Sequence, residues 1–491
     1  MRAVPAIRIR VLNGGSFRRE GDFVLYWMVA QRRLVWNFAL QRAVALAAER
    51  RRPLLILEAL RSDYPWACDR HHAFLLEGMR EHEGALRDSG VGYYPYVEPK
   101  PGAGSGLLAA LAARAVCVVT DDHPGFFYPR MLNSAARQVE VAMEAVDSCG
   151  ILPLAQSQKA FARAHDFRRH LQRELSAPLR EFPVCDALRE AELLPFSADL
   201  QEIEARWPRL AREKSIDSLL STLPIDHSVP RLKERHGGTK AAGRALNEFL
   251  ETKLERYLVE RNQPQRHVCS RLSPYLHYGY ISPCEIFTAL AEREGWNFSR
   301  VSARASGARN GWWGMSEGAE AFLDQLITWR ELGFNAARFL KDYDKYESSP
   351  DWARATLQEH ENDPRPHSYA LREFEEARTH DPLWNAAQTQ LVREGEIHNY
   401  LRMLWGKKIL HWSPSPRAAL KTMLELNDKY ALDGRDPNSI SGIFWILGRY
   451  DRAWGPEREV FGKIRYMSCK NTARKLRVKE YLERYANQSL F

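Results

Sequence analysis

An α/β domain followed by an all-helical domain is the fold class that this sequence predicts, on three observations. Short β-rich runs alternate with helical patterns between about residues 20 and 160, and the strand signal stops after about 235. The chain has 491 residues with 45% apolar side chains and no long polar tract, more than one ordinary core uses.

The first strand is expected in FVLYWMVA from Phe23, followed by a helix in WNFALQRAVALAAER, a strand in PLLILEAL from Pro53 and a helix in HHAFLLEGMREHEGALRDSG. VGYYPYVEP, the small-residue helix GSGLLAALAARA, the apolar strand AVCVVTDD from Ala115 and ILPLAQS from Ile151 continue the rhythm. Near-continuous apolar strands separated by helices predict a Rossmann-like, mainly parallel sheet with helices on both faces. Gly102 to Gly106 reads as a flexible turn, because neither a G-x-G-x-x-G fingerprint nor a Walker lysine accompanies it. The expected boundaries are 20–165 for the α/β domain, 166–235 for a charged, Pro-punctuated connector with short helices, and 236–485 for the helical domain. Within the last, Lys240 to Glu260 places Ala242, Leu246, Phe249, Leu250, Leu254, Tyr257 and Leu258 on one stripe.

Lysine plus arginine is 71 against 62 for aspartate plus glutamate, and the net charge of +9 favours a polyanionic partner only moderately. Seven cysteines without a Cys-x-x-Cys pair suggest neither a disulfide framework nor a metal cage, and fit a reducing cytosol. No signal-peptide core and no run of ~20 apolar residues is present. A monomer in the cytoplasm, nucleoid-associated in a bacterium and away from membranes, is expected.

The stretch from Leu426 to Ser468 mixes amides, acids, tryptophans and arginines in a way that a core does not need. Asn427, Asp428, Asp433, Arg435, Asp436 and Asn438 can fix a polar ring system; Trp445 and Trp454 can grip something flat; Arg452, Lys463 and Arg465 can hold phosphates. Flavin plus nucleic acid is the combination this mixture first suggests. Upstream, Tyr257, Arg261 and Asn262 precede the hydroxyl-rich turn from Ser270 to Gly279, whose entry to a helix reads on propensity alone as an N-cap and alternatively as a pyrophosphate seat.

YLVERNQP followed by SRLSPYLHYGYIS resembles the FAD-binding entry of the photolyase and cryptochrome family. LWNAAQTQLVREGEIHNYLRMLWGKKILHW, LNDKY, DGRDPN, DRAWG and FGKIRYMS look like the class II cyclobutane pyrimidine dimer photolyases within it. The likeness covers nearly all of 240–480, and more weakly the α/β part, where YWMVAQRRLVWNFAL resembles a drifted family segment.

The resemblance implies a light-driven lyase in which excited reduced FAD passes an electron to a flipped-out dimer in ultraviolet-damaged DNA, single- or double-stranded. It implies phosphate-side FAD contacts from Tyr257, Ser270, Leu272 and Ser273, with Cys269 standing where other classes often have threonine. It places Asn427 beside the reactive ring nitrogen, and an amide suits that place because it donates or accepts as the redox state changes. Arg402 is implied to pair with Asp433 near the ring. Trp384, Trp405 and Trp412 fall where the class keeps its electron relay, with Trp405 nearest the flavin. Trp405 and Trp412 share a helix face about 10 Å apart along the axis, a separation suited to stepwise hopping; taken singly, each tryptophan reads as core. Glu331 in WRELGFN is implied to bond the dimer, with Arg261, Asn262 and Met403 around it. Trp445 and Trp454 offer faces, and Arg452 and Arg465 suit the opened duplex and its phosphates. An antenna chromophore, of deazaflavin type or none, belongs on this resemblance to the α/β domain.

Two departures stand out. Trp445 and Trp454 are nine apart, one fewer than class II relatives lead one to expect, and Asn297 to Gly318 reads as an inserted, flexible, basic loop, solvated or alternatively touching DNA. The rival readings are a cryptochrome-like photoreceptor without repair and a flavin-free DNA-binding protein.

Overall fold

The structure, a computed structural model, describes residues 1–485. The chain forms two compact units: Met1–Gln158 with Arg173–Asn247 and Arg271–Trp296, and Lys159–Gln172 with Glu248–Ser270 and the described residues from Asn297 onward.

The first unit holds a six-stranded sheet in the order β1-β6-β5-β2-β3-β4. Its strands are β1 (Ile9–Val11), β2 (Phe23–Met28), β3 (Leu54–Leu60), β4 (Gly92–Val97), β5 (Ala115–Asp121) and β6 (Met143–Val146), interleaved with α1 (Phe38–Arg50), α2 (Asp69–Leu86), α3 (Leu107–Ala112) and α4 (Tyr128–Ala136). All pairings are parallel except that of β1 with β6. β2 and β5 are buried along their whole length, as strands covered by helices on both faces must be.

The last parallel strand is Met143–Val146, and the expected strand in ILPLAQS is instead a bent segment with a 3-10 turn at Leu154–Gln156. Asp147 causes the bend, its carboxylate accepting the N–H of Cys149 at 2.9 Å and of Leu154 at 2.6 Å. The true strand is masked in the sequence by Glu144, whose charge is met by Arg42 of α1 at 2.7 Å. The short edge strand β1 gave no periodic signal at all. After α5 (Ala164–Glu174), which belongs to the second unit up to Gln172, the chain returns through α6 (Gln201–Arg206) and α7 (Ile216–Leu220).

Helix α10 (Ser273–His277) and α11 (Pro283–Arg293) complete the first unit. Gly279 between them has φ +75°, and a Cβ there would lie 2.1 Å from the Ala30 carbonyl, so only glycine lets this segment lie against the exit of β2. Arg33 ties the same point by donating to the Gly279 carbonyl at 3.0 Å.

The stripe from Lys240 to Glu260 is realised as two helices, α8 (Thr239–Thr252) and α9 (Leu254–Glu260), broken at Lys253. In the second unit, Phe249, Tyr257 and Phe322 pack as a trio of rings with centroids 4.5 to 5.9 Å apart. Phe322 lies on α12 (Glu317–Leu323), which continues through a π-helical stretch at Asp324–Trp329 into α13 (Arg330–Phe339). The helices α14 (Asp351–Glu359), α15 (Leu371–Glu375), α16 (Pro382–Glu394), α17 (Asn399–Trp412), α18 (Pro416–Tyr430), α19 (Pro437–Ile446), α20 (Cys469–Lys475) and α21 (Lys479–Tyr485) follow.

The segment before α12 is anchored, not the flexible solvated loop that its composition suggested. The buried Glu320 carboxylate accepts the N–H groups of Gly311, Gly314 and Met315, the last two at 2.9 and 3.3 Å. Gln172 accepts from the Gly307 N–H at 2.7 Å, and Trp312 and Trp313 are buried.

Candidate active site

Three helices converge on a buried polar cluster. Asn427, in the last turn of α18, donates from Nδ2 to Asp428 Oδ1 at 2.8 Å and to Ser439 Oγ at 3.1 Å. Arg402 of α17 donates to Asp433 at 3.1 and 3.4 Å, and to Ser439 Oγ at 3.5 Å. The DGRDPN loop makes this possible. Arg435 sits at φ +66° and its N–H donates to Asp428 Oδ1 at 2.8 Å, while the Asp436 carboxylate caps α19 through the Asn438 N–H at 2.8 Å. Asn427 is therefore held by side chains and not as a helix-end cap, and Arg402–Asp433 is a largely buried pair. Burial pushes the Asp428 carboxyl up to about 6, against the pull of Asn427 and Arg435.

The three tryptophans meet in the same bundle and are fully buried. Trp384 of α16 donates from Nε1 to the Trp405 carbonyl at 3.0 Å, and its ring lies 5.9 Å from that of Trp412 at an interplanar angle of 68°. Trp405 donates to Gln388 Oε1 at 2.9 Å. Trp384 thus bridges the two α17 tryptophans, and Trp405 stands one turn from Arg402.

Glu331 is 5% exposed in the first turn of α13, immediately after the π-helical stretch, a local widening found often at functional sites. Gly333 lets α13 lie directly on α19: a Cβ there would be 2.8 Å from the Asn438 Cα. Arg261 lies with its guanidinium 5.6 Å from the Tyr257 ring, and its carbonyl is 3.0 Å from His398 Nε2 at the head of α17. Asn262 is exposed beside it, and Met403 is half-buried.

Beyond α19 the rings and cations stack. The Arg465 guanidinium is 4.8 Å from the Trp454 ring and 5.7 Å from the Trp445 ring, and Arg452 is 4.7 Å from Trp454. Trp454 is fixed by Nε1 donating to Asp451 at 3.1 Å and by its N–H donating to the Lys463 carbonyl at 2.9 Å. Arg452 and Arg465 are exposed, so the stack presents charge outward.

No protein-family model matches the chain. It is 37% identical over 482 residues, 98% of both chains, to a deoxyribodipyrimidine photo-lyase of Methanothermobacter thermautotrophicus. It is 33% identical to one from Oryza sativa, covering 98% of this chain and 91% of that one. With the photo-lyase of Potorous tridactylus it shares 31% over 96% of this chain and 83% of the other. The chain belongs to the photolyase and cryptochrome family. The fold agrees: a class III photolyase of Agrobacterium tumefaciens superposes with a TM-score of 0.65 at 16% identity over 96% of this chain and 87% of that one. A Synechocystis cryptochrome does so with the same score at 14% identity, over 94% and 88%.

For a photolyase-family chain, the donor set suits a flavin. Among the described residues the buried Arg402 Nε has no hydrogen-bond partner, and Asn427 Oδ1, 3.4 Å from the Ser439 hydroxyl, keeps a second lone pair, the chemistry that a ring with N–H and carbonyl edges needs. Tyr257 is held by the ring trio, and burial raises its hydroxyl pKa. Ser270 is half-buried in the second unit, whereas Leu272 is buried and Ser273 exposed in the first, at the start of α10. No side-chain hydrogen bond caps α10, which removes the plain N-cap reading of that turn. The sequence alone missed Ser439 and Gln388. Ser439 lies in the first turn of α19, where serine ordinarily reads as a capping residue, and Gln388 carries no motif. Among the described residues no helix is long and apolar enough to cross a membrane.

Proposed function

We propose that this protein is a class II photolyase that repairs cyclobutane pyrimidine dimers in ultraviolet-damaged DNA with light and reduced FAD. The observation that carries the reading is the joining, through one helix, of the Asn427–Ser439–Arg402–Asp433 cluster to the Trp405–Trp384–Trp412 relay. FAD, when bound and reduced, supplies on excitation the electron that splits the dimer and takes it back afterwards, so the overall reaction is redox-neutral.

The chain's own residues hold and protect that chemistry. Arg402 and Asn427 would hold the ring edge, with Asp433 and Ser439 fixing them. Tyr257 and Ser270, with Leu272 and Ser273 next along the chain, are read as the phosphate-side contacts. The three relay tryptophans are fully buried, so they would return bound flavin to its reduced state away from water. Glu331 is read as the hydrogen-bonding partner of the dimer carbonyls, with Asn262, Arg261 and Met403 beside it. Trp445 and Trp454 receive the lesion and the vacated duplex, and Arg452 and Arg465 hold phosphates. On the same reading, residues 20–165 form the antenna-type domain and 236–485 the catalytic domain.

Glu331→Ala tests the assignment. It is expected to keep bound FAD and lower the dimers split per absorbed photon by about tenfold or more, as the loss of a preorganised polar contact to a developing charge does. An unchanged yield at saturating dimer removes Glu331 from the chemistry.

A further inference from the structure

Helix α17 carries a second buried cation that the polar cluster does not use. Lys407, two residues beyond Trp405, is 0% exposed. Its Nζ donates at 2.6 Å to the carbonyl of Ile446, the last residue of α19, one of the carbonyls that a helix end leaves without an intrahelical partner. The same Nζ stands 5.1 Å from the centroid of the Trp445 ring. With the stack above, cations and indoles alternate as Lys407, Trp445, Arg465, Trp454 and Arg452, running from a buried end to an exposed one.

Packing does not require this lysine. Methionine would fill the same stem, and a desolvated ammonium is costly to keep. What an ammonium adds is attraction to the face of an indole and to the negative end of a helix, both of which hold one orientation of Trp445. We propose that Lys407 is a positioning residue for substrate: its ammonium fixes the Trp445 indole and the end of α19 from the buried side, and dimer-containing DNA binds to the protonated form. This rests on the reading of Trp445 as part of the lesion grip.

Burial lowers the Lys407 pKa to about 7, with Asp451 pulling it up and Arg465 pushing it down. The charged and neutral forms are therefore both populated near neutrality. Phosphates drawn in against Arg452 and Arg465 favour the charged form, so binding takes up a proton and affinity falls as pH rises.

The experiment measures affinity for an oligonucleotide carrying one thymine dimer, and for its undamaged counterpart, from about pH 6 to about pH 9 at constant ionic strength. Wild type, Lys407→Met, Trp445→Leu and the double variant are compared, with bound-FAD absorbance reporting the fold. Wild-type dimer affinity is expected to drop roughly 5- to 30-fold across this range, which is what about 1–2 kcal/mol of desolvated cation–π attraction converts to. Lys407→Met is expected to stay near the weak limit at every pH while keeping FAD, and to add less than about twofold once Trp445 is leucine. If Lys407→Met loses FAD, Lys407→Gln replaces it. Dimer-selective binding that is flat in pH overturns the proposal and leaves the repair reading standing, as does a lysine variant with the wild-type profile. Binding that never distinguishes dimer from undamaged DNA overturns the lesion grip, and this role with it.

Discussion

The Asn427 amide is oriented by two neighbours, Asp428 and Ser439. An ionised carboxylate accepts and does not donate, so it takes Asn427 Nδ2 at 2.8 Å, while Oδ1, 3.4 Å from the Ser439 hydroxyl, keeps a lone pair that would accept a ring N–H of bound flavin. Burial raises Asp428 to about 6, above its unfolded value, so the fold disfavours the charge. Its contribution to stability is accordingly fullest below about pH 4 and is lost as pH rises through about 6. Protonation also gives Asp428 a donor and releases the amide. The absorption spectrum of bound flavin is therefore expected to titrate with a midpoint of about 6 in the wild type and to lose that titration in Asp428→Asn, and a spectrophotometric pH series checks it. Asn427, Arg402 and Asp433 were legible only through the family resemblance of the motifs around them, since on their own an amide reads as a helix-end cap and an ion pair as a surface bridge. Ser439 and Lys407 were not. A serine in a helix's first turn reads as a cap, and nothing in GKKIL tells that both lysines are buried or that Lys407 is the one that reaches the end of α19.

Helix α17 is the element on which the account turns, since its faces carry Arg402, Trp405, Lys407 and Trp412. The relay, Trp384 included, was implied by the family resemblance, while the seven-residue spacing put Trp405 and Trp412 on one face; in the structure Trp384 donates to the Trp405 carbonyl and its ring lies 5.9 Å from that of Trp412. Trp405→Phe is expected to stop light-driven reduction of the flavin while leaving repair by chemically reduced protein. It also strands the buried Gln388 Oε1, for a loss of about 1–3 kcal/mol in stability. Photoreduction at the wild-type rate contradicts the relay, and denaturant unfolding checks the stability term. Elements with a clean period were legible in this way. β6 was not, because Glu144 breaks its apolar run, and the apolar ILPL nearby drew the strand assignment although Asp147 bends the backbone there. The anchoring of the segment before α12 was invisible for a related reason: Glu320 reads as a surface helix acid until three backbone N–H groups are seen to converge on it.

Taken whole, a chain of net charge +9 with a parallel-sheet unit and a helical unit places the polar cluster, the three tryptophans and the cation–indole stack in the second. The fold class was legible because period-2 and period-3.6 patterns segregate along the sequence. The two units were harder to see, since α5 and the 271–296 segment each fold away from their neighbours in sequence. The central claim is that this arrangement splits cyclobutane dimers with light. The most direct measurement incubates the reduced, FAD-containing protein with an oligonucleotide carrying one defined thymine dimer and quantifies intact thymines after illumination and after an equal time in the dark. Restored thymines are expected in the light alone, with no net consumption of reductant; a dimer that survives illumination in the presence of bound, reduced FAD contradicts photorepair by this protein.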